Sequence, residues 1–134
     1  MDAAAQSMLR IGAWCADPLR GTLTQGSEVV RVDAGSAGRL DLGVVLDVLS
    51  GRKILSVMLE CGSELNGAFL TQGQVDKVVL FYAETKLGDG AIPFARGFGP
   101  PVLLEQEMKG IARKLFGEDV RVSGVLRDAW EGIG

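Results

Sequence analysis

Three consecutive segments of the sequence share one order: a helix signal, a glycine that would end the helix, and a short run of β-branched and other apolar residues. This order constrains the fold most, because helices that alternate with strands at this spacing are typical of parallel crossovers in a layered α/β sheet. A chain of 134 residues can bury one hydrophobic core but is too short for two full domains. We therefore predict a single α/β domain over residues 1–134.

The first segment begins at Asp17, which is a favourable N-cap and is followed by a proline. Leu19 and Leu23 are four residues apart, as on one face of a helix, and Gly26 is placed to end that helix. The β-branched residues that follow predict a strand over residues 28–32.

The second segment shows clear helical periodicity. Asp41 is the expected start of the helix and Gly51 its expected end. The apolar face between them consists of Leu42, Val45, Leu46 and Leu49. The nearly unbroken apolar run over residues 54–59 then predicts a central strand that is covered on both faces.

The third segment is predicted to form a helix from Ser63, as N-cap, to a stop at Gly73. Its buried face is expected to consist of Leu65, Ala68 and Phe69. A further strand is predicted over residues 77–83.

The C-terminal third has a different pattern. Four glycines and three prolines predict a long loop over residues 84–101. An antiparallel hairpin is then predicted, with arms over residues 102–116 and 120–126, a turn between them and a bulge near Gly110.

The predicted sheet is therefore mostly parallel, with an antiparallel C-terminal hairpin. Residues 1–16 match no pattern and are expected to be an unassigned leader, helix-like or irregular. Because an open parallel sheet normally begins with a central strand, we expect that the first strands of the domain are missing or that the sheet is completed by pairing with a partner.

The amino-acid composition excludes several kinds of chemistry. Histidine is absent, which excludes Ser-His and Cys-His nucleophile pairs and zinc sites built with imidazole. Cys15 and Cys61 form no CxxC pair, so no metal site is expected; reduced thiols are the default, and a disulfide stays open.

The charge and hydropathy of the chain bear on its partners and location. The net charge of −3 argues against nucleic acid or an anionic membrane as a partner. No apolar run reaches the ~18 residues that a membrane span needs. The N-terminus also lacks the basic region of a signal peptide, so we predict a cytoplasmic protein.

The strand-to-helix turn after the apolar run is the sharpest candidate for a functional site. An apolar strand is predicted to end at Glu60, and the chain then turns at Gly62 into a helix. Ligands of α/β sheets collect at the carboxyl ends of strands, where a helix N-terminus offers N–H groups to a phosphate. The same turn also occurs without any ligand, and Glu60 is equally interpreted as a solvated strand end or as a partner of Arg52 or Lys53.

The sequence resembles a known family at this turn. Residues 59–70, LECGSELNGAFL, are similar to the C-terminal reductase domain of the bacterial bifunctional riboflavin-biosynthesis deaminase/reductase, a relative of dihydrofolate reductase. Residues 75–83 and 116–130 resemble later strands of that domain. The resemblance covers roughly residues 26–130 and implies a dihydrofolate-reductase-like sheet.

The family resemblance also implies an activity. It implies NADPH-dependent reduction of a ribosylaminopyrimidine phosphate to the ribitylamino compound, with hydride passing from the nicotinamide to the sugar C1. By position, Glu60 would be the catalytic residue beside the nicotinamide and the substrate. The residues implied to bind the pyrophosphate of NADPH are Cys61, Gly62, Ser63, Glu64 and Leu65.

The sequence departs from the family pattern in two places. Cys61 stands where the family has the first glycine of a pair, and Glu84-Thr85 replaces a proline. The deaminase signatures H-x-E and P-C-x-x-C do not occur, so no deaminase activity is expected.

Two other functions therefore stay open. One is a truncated, non-catalytic module that binds nucleotide weakly or not at all; the other is a related reductase for another pterin or pyrimidine. Because exposed strands at a sheet edge favour association, a two-fold homodimer through the C-terminal strands is also predicted. The charged residues of the Gly/Pro-rich loop, Lys86, Asp89 and Arg96, either gate the cleft or are solvated, and we interpret them as solvated.

Overall fold

The computed structural model divides the chain into two compact units, Met1–Cys61 and Gly62–Gly134. Helices and strands occur in both, which confirms the predicted mixed α/β composition. The structure describes residues 9–11, 14–17, 22–31 and 41–131.

An antiparallel sheet forms the first part of the first unit. Its strands are β1 (Leu9–Ile11), β2 (Trp14–Asp17), β3 (Thr22–Gln25) and β4 (Glu28–Arg31), and they lie in the order of the sequence. Strands β3 and β4 are joined by a two-residue turn at Gly26 and Ser27. Gly26 has a φ of +57°, a conformation that glycine adopts without steric cost and that tight hairpins require.

The helix predicted from Asp17 to Gly26 is wrong where the structure describes it, because Thr22–Gln25 is strand β3. A glycine with positive φ ends a helix as readily as it turns a hairpin, so the glycine signal did not distinguish the two. Residues 18–21 of the predicted helix lie outside the described residues.

Two other expectations concern this sheet. The strand predicted over residues 28–32 is confirmed over Glu28–Arg31. The segment that was expected to be helix-like or irregular contains strands β1 and β2 where it is described.

Helix α1 (Leu42–Gly51) confirms the helix predicted after Asp41. The Asp41 carboxylate accepts a hydrogen bond from the backbone N–H of Val44 at 3.2 Å, which satisfies one of the N–H groups left open at a helix start. The buried residues of this helix are Leu42, Val45 and Leu49. Beyond its C-terminal end, Arg52 forms an ion pair with Glu28 of strand β4.

The central strand predicted over residues 54–59 is wrong, since these residues form neither helix nor strand. Leu55 is 97% exposed and Met58 is 79% exposed. No backbone N–H of residues 55–60 donates to another described residue. The apolar side chains suit a buried strand, but a strand also needs a neighbour for its hydrogen bonds, and the described residues provide none.

The second unit contains two helices and a three-stranded sheet among its described residues. The helices are α2 (Ser63–Thr71) and α3 (Pro101–Glu107), and the strands are β5 (Lys77–Tyr82), β6 (Lys109–Phe116) and β7 (Asp119–Val125). The strand order is β5-β7-β6, and both pairs are antiparallel. Every strand pair among the described residues is thus antiparallel, and the predicted mostly parallel sheet is wrong.

The predicted parallel pairing does not form because residues 54–59 are not a strand. A parallel crossover around α2 requires a strand on each side of the helix, and only β5 is present. β5 pairs instead with β7, the second arm of the C-terminal hairpin.

The hairpin itself is confirmed, with a shorter first arm than predicted. Residues 101–107 form helix α3, with Pro101 at its first position, where proline fits a helix well. Gly117, at φ +64°, turns the chain between β6 and β7. The predicted bulge is also confirmed, because the register shifts between Lys109 and Ala112 around Gly110.

The core of the second unit lies between one face of its sheet and helix α3. Its buried side chains are Val78, Leu80, Leu104, Met108 and Val122. Gly124 allows the close approach of Met108, since a Cβ at Gly124 would lie 2.9 Å from the Met108 Cβ.

A polar network crosses the edge of this core. The Tyr82 hydroxyl donates to one Glu105 carboxylate oxygen at 2.6 Å, and Arg113 donates to the other at 2.5 Å. The network therefore joins β5, α3 and β6. The hydrogen bond from Tyr82 lowers the pKa of Glu105, whereas burial, followed by the bond to Glu105, raises the pKa of Tyr82 to about 12.

Because of this network, we expect the free energy of unfolding to fall at both acid and alkaline pH. Glu105 stabilises the fold above its unfolded pKa, and this contribution is lost as the pH falls through its lowered folded pKa. Tyr82 stabilises the fold below its unfolded value of 10.0, and this contribution is lost as the pH rises towards about 12. Tyr82→Phe should remove the loss of stability at alkaline pH and weaken the loss at acid pH. It should also lower the free energy of unfolding near neutral pH by about 1 kcal/mol, because a hydrogen bond is removed.

The measurement is urea unfolding at a series of pH values, together with an absorbance titration of tyrosine. The chain has one tyrosine, so the titration reports Tyr82 alone. A pKa near 10 in the folded protein would contradict the network.

Candidate active site: the first turn of helix α2

The turn between residues 59 and 63 leads directly into helix α2. Gly62 is the N-cap, with extended backbone angles of −82° and 178°, and its carbonyl accepts the first helical hydrogen bond from Asn66 at 3.0 Å. The predicted N-cap was Ser63, one residue later. Among the described residues, no side chain caps this helix start.

The N–H groups of the first turn are therefore available. Within the described part of the chain, no acceptor lies within hydrogen-bond distance of the N–H groups of Ser63, Glu64 or Leu65. Such groups, at the positive end of the helix dipole, favour a bound anion. Nothing lies within 4 Å of the position that a Cβ would occupy on Gly62, so the backbone is open there.

Ser63 adds a second unsatisfied group at this turn. Ser63 is only 8% exposed, and among the described residues its hydroxyl has no hydrogen-bond partner. A buried hydroxyl without a partner is costly, so a ligand that provided one would gain free energy of binding.

The Gly/Pro-rich loop packs against the same turn through its backbone. The N–H of Arg96 donates to the Ser63 carbonyl at 3.0 Å, and the Asn66 side-chain amide donates to the Phe94 carbonyl at 3.0 Å. Ala95, between them, is buried. These contacts fix residues 94–96 beside the start of α2.

Gly67 makes this packing possible. A Cβ at Gly67 would lie 2.0 Å from the Arg96 carbonyl oxygen, so only glycine permits the backbones to approach this closely. Gly67 was not among the predicted site residues. An isolated glycine inside a helical pattern costs about 1 kcal/mol relative to alanine. Such a glycine is the sequence signal that identifies Gly67 as a candidate.

The electrostatics of the turn involve Glu64 and Arg96. The Glu64 carboxylate lies at the helix start, where the dipole stabilises it, and the Arg96 guanidinium lies 3.1 Å away. Both side chains are more than half exposed, so the pair itself adds little stability. The pair also fixes a position: Arg96, interpreted from the sequence as a solvated loop charge, brings a cation to the N-terminal end of α2.

The predicted site residues before the helix lie at the end of the first unit. Glu60 is exposed and Cys61 is partly buried. Neither Cys61 nor Cys15 forms a disulfide. Arg52, one interpreted partner of Glu60, is paired with Glu28 instead.

Two further observations concern metals and membranes. No group of three or more potential ligand side chains is gathered at one point in the described ranges. The helices of the described residues also include none with the length and apolar character to cross a membrane.

A comparison with protein-family models gives one match, to the RibD C-terminal domain over residues 6–115. This match covers more than half of the chain. The chain belongs to the RibD C-terminal domain family. A comparison with curated proteins finds no match.

The RibD C-terminal domain match confirms the resemblance drawn from the sequence and shifts its bounds. It begins at residue 6, within the segment that had no assignment, and includes all of helix α2. It ends at residue 115, so the similarity noted for residues 116–130 lies outside it.

We expect Gly67→Ala to displace the loop from helix α2. The new methyl group would overlap the Arg96 carbonyl. The backbone shift needed to accommodate it should lower the free energy of unfolding by about 1–3 kcal/mol. Urea unfolding and limited proteolysis of residues 84–100 measure the effect. Gly62→Ala is the matched control, since its Cβ meets no atom within 4 Å, and equal behaviour of the two variants would contradict the packing.

Proposed function

We propose that this RibD C-terminal domain catalyses the NADPH-dependent reduction of a ribosylaminopyrimidine phosphate to the ribitylamino compound, a step of riboflavin biosynthesis. Family membership supports the reductase class. The observation that carries the proposal is the first turn of α2, where free N–H groups, an open glycine backbone and a buried, unpartnered hydroxyl meet.

These residues fit the pyrophosphate of a dinucleotide. The N–H groups of Ser63, Glu64 and Leu65 would donate to its oxygens, and Gly62 would leave room for the phosphates beside the backbone. Cys61 would flank the phosphates with its partly buried side chain. Arg96 would partly neutralise the added negative charge, because its guanidinium already lies at this turn.

The cofactor would supply the hydride, and the chain would supply position and electric field. Glu60, immediately before the turn, would accept hydrogen bonds from the substrate and orient it. No nucleophilic side chain is needed for a hydride transfer, which agrees with a sequence that contains no histidine.

One observation favours the alternative of a non-catalytic module. Residues 54–59, which would hold Glu60 at the end of a strand, form no strand among the described residues. Without that support the Glu60 carboxylate lacks a fixed position, and a loosely held group loses much of its catalytic effect. The two functions are separated by cofactor binding and by turnover.

We expect the chain to bind NADPH and Gly62→Ala to weaken that binding about tenfold or more, because the new methyl group would occupy the space beside the phosphates. Calorimetric titration measures the dissociation constant. Gly90→Ala is the matched control, since nothing lies within 4 Å of its Cβ position either and it is remote from the turn in sequence. Absence of NADPH binding in the unmodified chain would favour the non-catalytic module.

We expect Glu60→Gln to leave NADPH binding unchanged and to lower turnover of the ribosylaminopyrimidine phosphate about tenfold or more, because the amide accepts hydrogen bonds more weakly than the carboxylate. Turnover is followed by the loss of nicotinamide absorbance. Glu118→Gln, in the hairpin turn, is the control. Binding of NADPH without turnover of this substrate would favour a reductase for another pterin or pyrimidine.

A further inference from the structure

Arg96 has a backbone that is fixed at the start of helix α2. Its N–H donates to the Ser63 carbonyl at 3.0 Å, and a Cβ on Gly67 would lie only 2.0 Å from its own carbonyl oxygen. The backbone of Arg96 therefore cannot shift without disturbing the packing of the loop on the helix. Its side chain is long and has several rotatable bonds, so the guanidinium can change position while the backbone stays in place.

The contact that holds this guanidinium is a weak one. Its Nη1 lies 3.1 Å from Oε1 of Glu64, and this is its only contact within the described part of the chain. Strong pairs of arginine with a carboxylate have two parallel N–H···O bonds. Glu105, by contrast, accepts hydrogen bonds from both Tyr82 and Arg113. The pair of Arg96 with Glu64 can therefore be exchanged for another partner at little cost in free energy.

Glu64 places a negative charge among the groups that would bind a phosphate. It is the second residue of α2, so its N–H belongs to the first turn and its carboxylate lies at the same helix end. A carboxylate and a phosphate are both favoured by the positive end of the helix dipole. Both also bind a guanidinium through the same N–H groups. Glu64 therefore competes with a bound phosphate for Arg96 and repels that phosphate as well.

The turn nevertheless offers more hydrogen-bond donors than Glu64 satisfies. Among the described residues, the N–H groups of Ser63, Glu64 and Leu65 have no acceptor. The Ser63 hydroxyl, in a residue that is 8% exposed, has no partner there either. These donors favour a second anion at the turn in spite of the carboxylate.

We propose that Arg96 exchanges partners at this turn: it pairs with Glu64 and transfers to a phosphate oxygen when a pyrophosphate group binds. Arg96 is thereby a phosphate-binding residue, and Glu64 is the residue that limits the affinity for the ligand. The inference rests on the proposed function for the identity of the ligand, the pyrophosphate of NADPH. It adds a residue that opposes binding and a side-chain movement that accompanies binding.

The test is a double-mutant cycle on the full chain, with Glu64→Gln, Arg96→Met and the double variant, each titrated with NADPH in a calorimeter. We expect Glu64→Gln to lower the dissociation constant about threefold and Arg96→Met to raise it. Arg96→Met should raise the constant about threefold more in the Glu64→Gln background than in the unmodified chain. In that background Arg96 gives up no ion pair when it binds the phosphate, so its removal loses the full interaction.

The cycle distinguishes exchange from two other relations between the residues. If Arg96→Met has the same effect in both backgrounds, Arg96 binds the phosphate without leaving Glu64. If its effect is smaller in the Glu64→Gln background, Glu64 holds Arg96 in place for the ligand. Either result overturns the proposal, as does a dissociation constant that Glu64→Gln leaves unchanged or raises.

Two matched controls account for the change in net charge. Lys86→Met removes a cation from the same loop, and Glu118→Gln removes a carboxylate from the hairpin turn. Neither residue takes part in an ion pair among the described residues. Both variants should bind NADPH as the unmodified chain does, and controls that reproduce the effects of the cycle would overturn the proposal. Circular dichroism checks that every variant keeps its fold.

Inorganic pyrophosphate is the second probe, and it separates this inference from the proposed reductase. If pyrophosphate shows the coupling but NADPH does not bind, the exchange is supported and the reductase proposal fails. If NADPH binds but the two substitutions act additively, the cofactor site is supported and the exchange is wrong. If neither compound binds at millimolar concentration, the turn accepts no pyrophosphate group and both proposals fail.

Discussion

The candidate site depends on the close approach of two backbones, that of Arg96 in the Gly/Pro-rich loop and that of Gly67 in helix α2. The approach holds the loop beside the first turn of the helix, where the Arg96 N–H meets the Ser63 carbonyl and its guanidinium meets Glu64. A side chain at Gly67 would separate the two segments, and the cation would leave the helix start. The geometry of the site therefore requires glycine at position 67, where a hydrogen atom leaves space that a methyl group would fill.

The chemistry available at this turn is that of backbone groups and carboxylates. Helix α2 offers N–H groups and the positive end of its dipole, which favour an anion without any specialised side chain. A RibD C-terminal domain with no histidine is consistent with this arrangement, because a reductase can leave bond making to its cofactor and use the protein for orientation. The Ser63 hydroxyl is buried and has no hydrogen-bond partner among the described residues, so it too is a polar group that a ligand could satisfy.

Residues 54–59 and strand β5 both present apolar side chains to solvent: Leu55 is 97% exposed and Phe81 is 67% exposed. They differ in their backbone hydrogen bonds. No N–H of residues 55–60 donates to another described residue, whereas β5 is hydrogen-bonded along its length to β7. The neighbouring strand is what residues 54–59 lack among the described residues.

The sequence by itself determined the local elements whose signals lie within a few residues: helix α1 with its Asp41 cap, helix α2, strand β5, the C-terminal hairpin and its bulge at Gly110. It also located the turn at Gly62. Only the tertiary structure decided how strands pair, because pairing is a contact between distant residues. For this reason Thr22–Gln25 became a strand, residues 54–59 did not, and β5 paired antiparallel with β7. Arg96 joined the site for the same reason, since its backbone contact with Ser63 connects two residues that are 33 positions apart in the sequence.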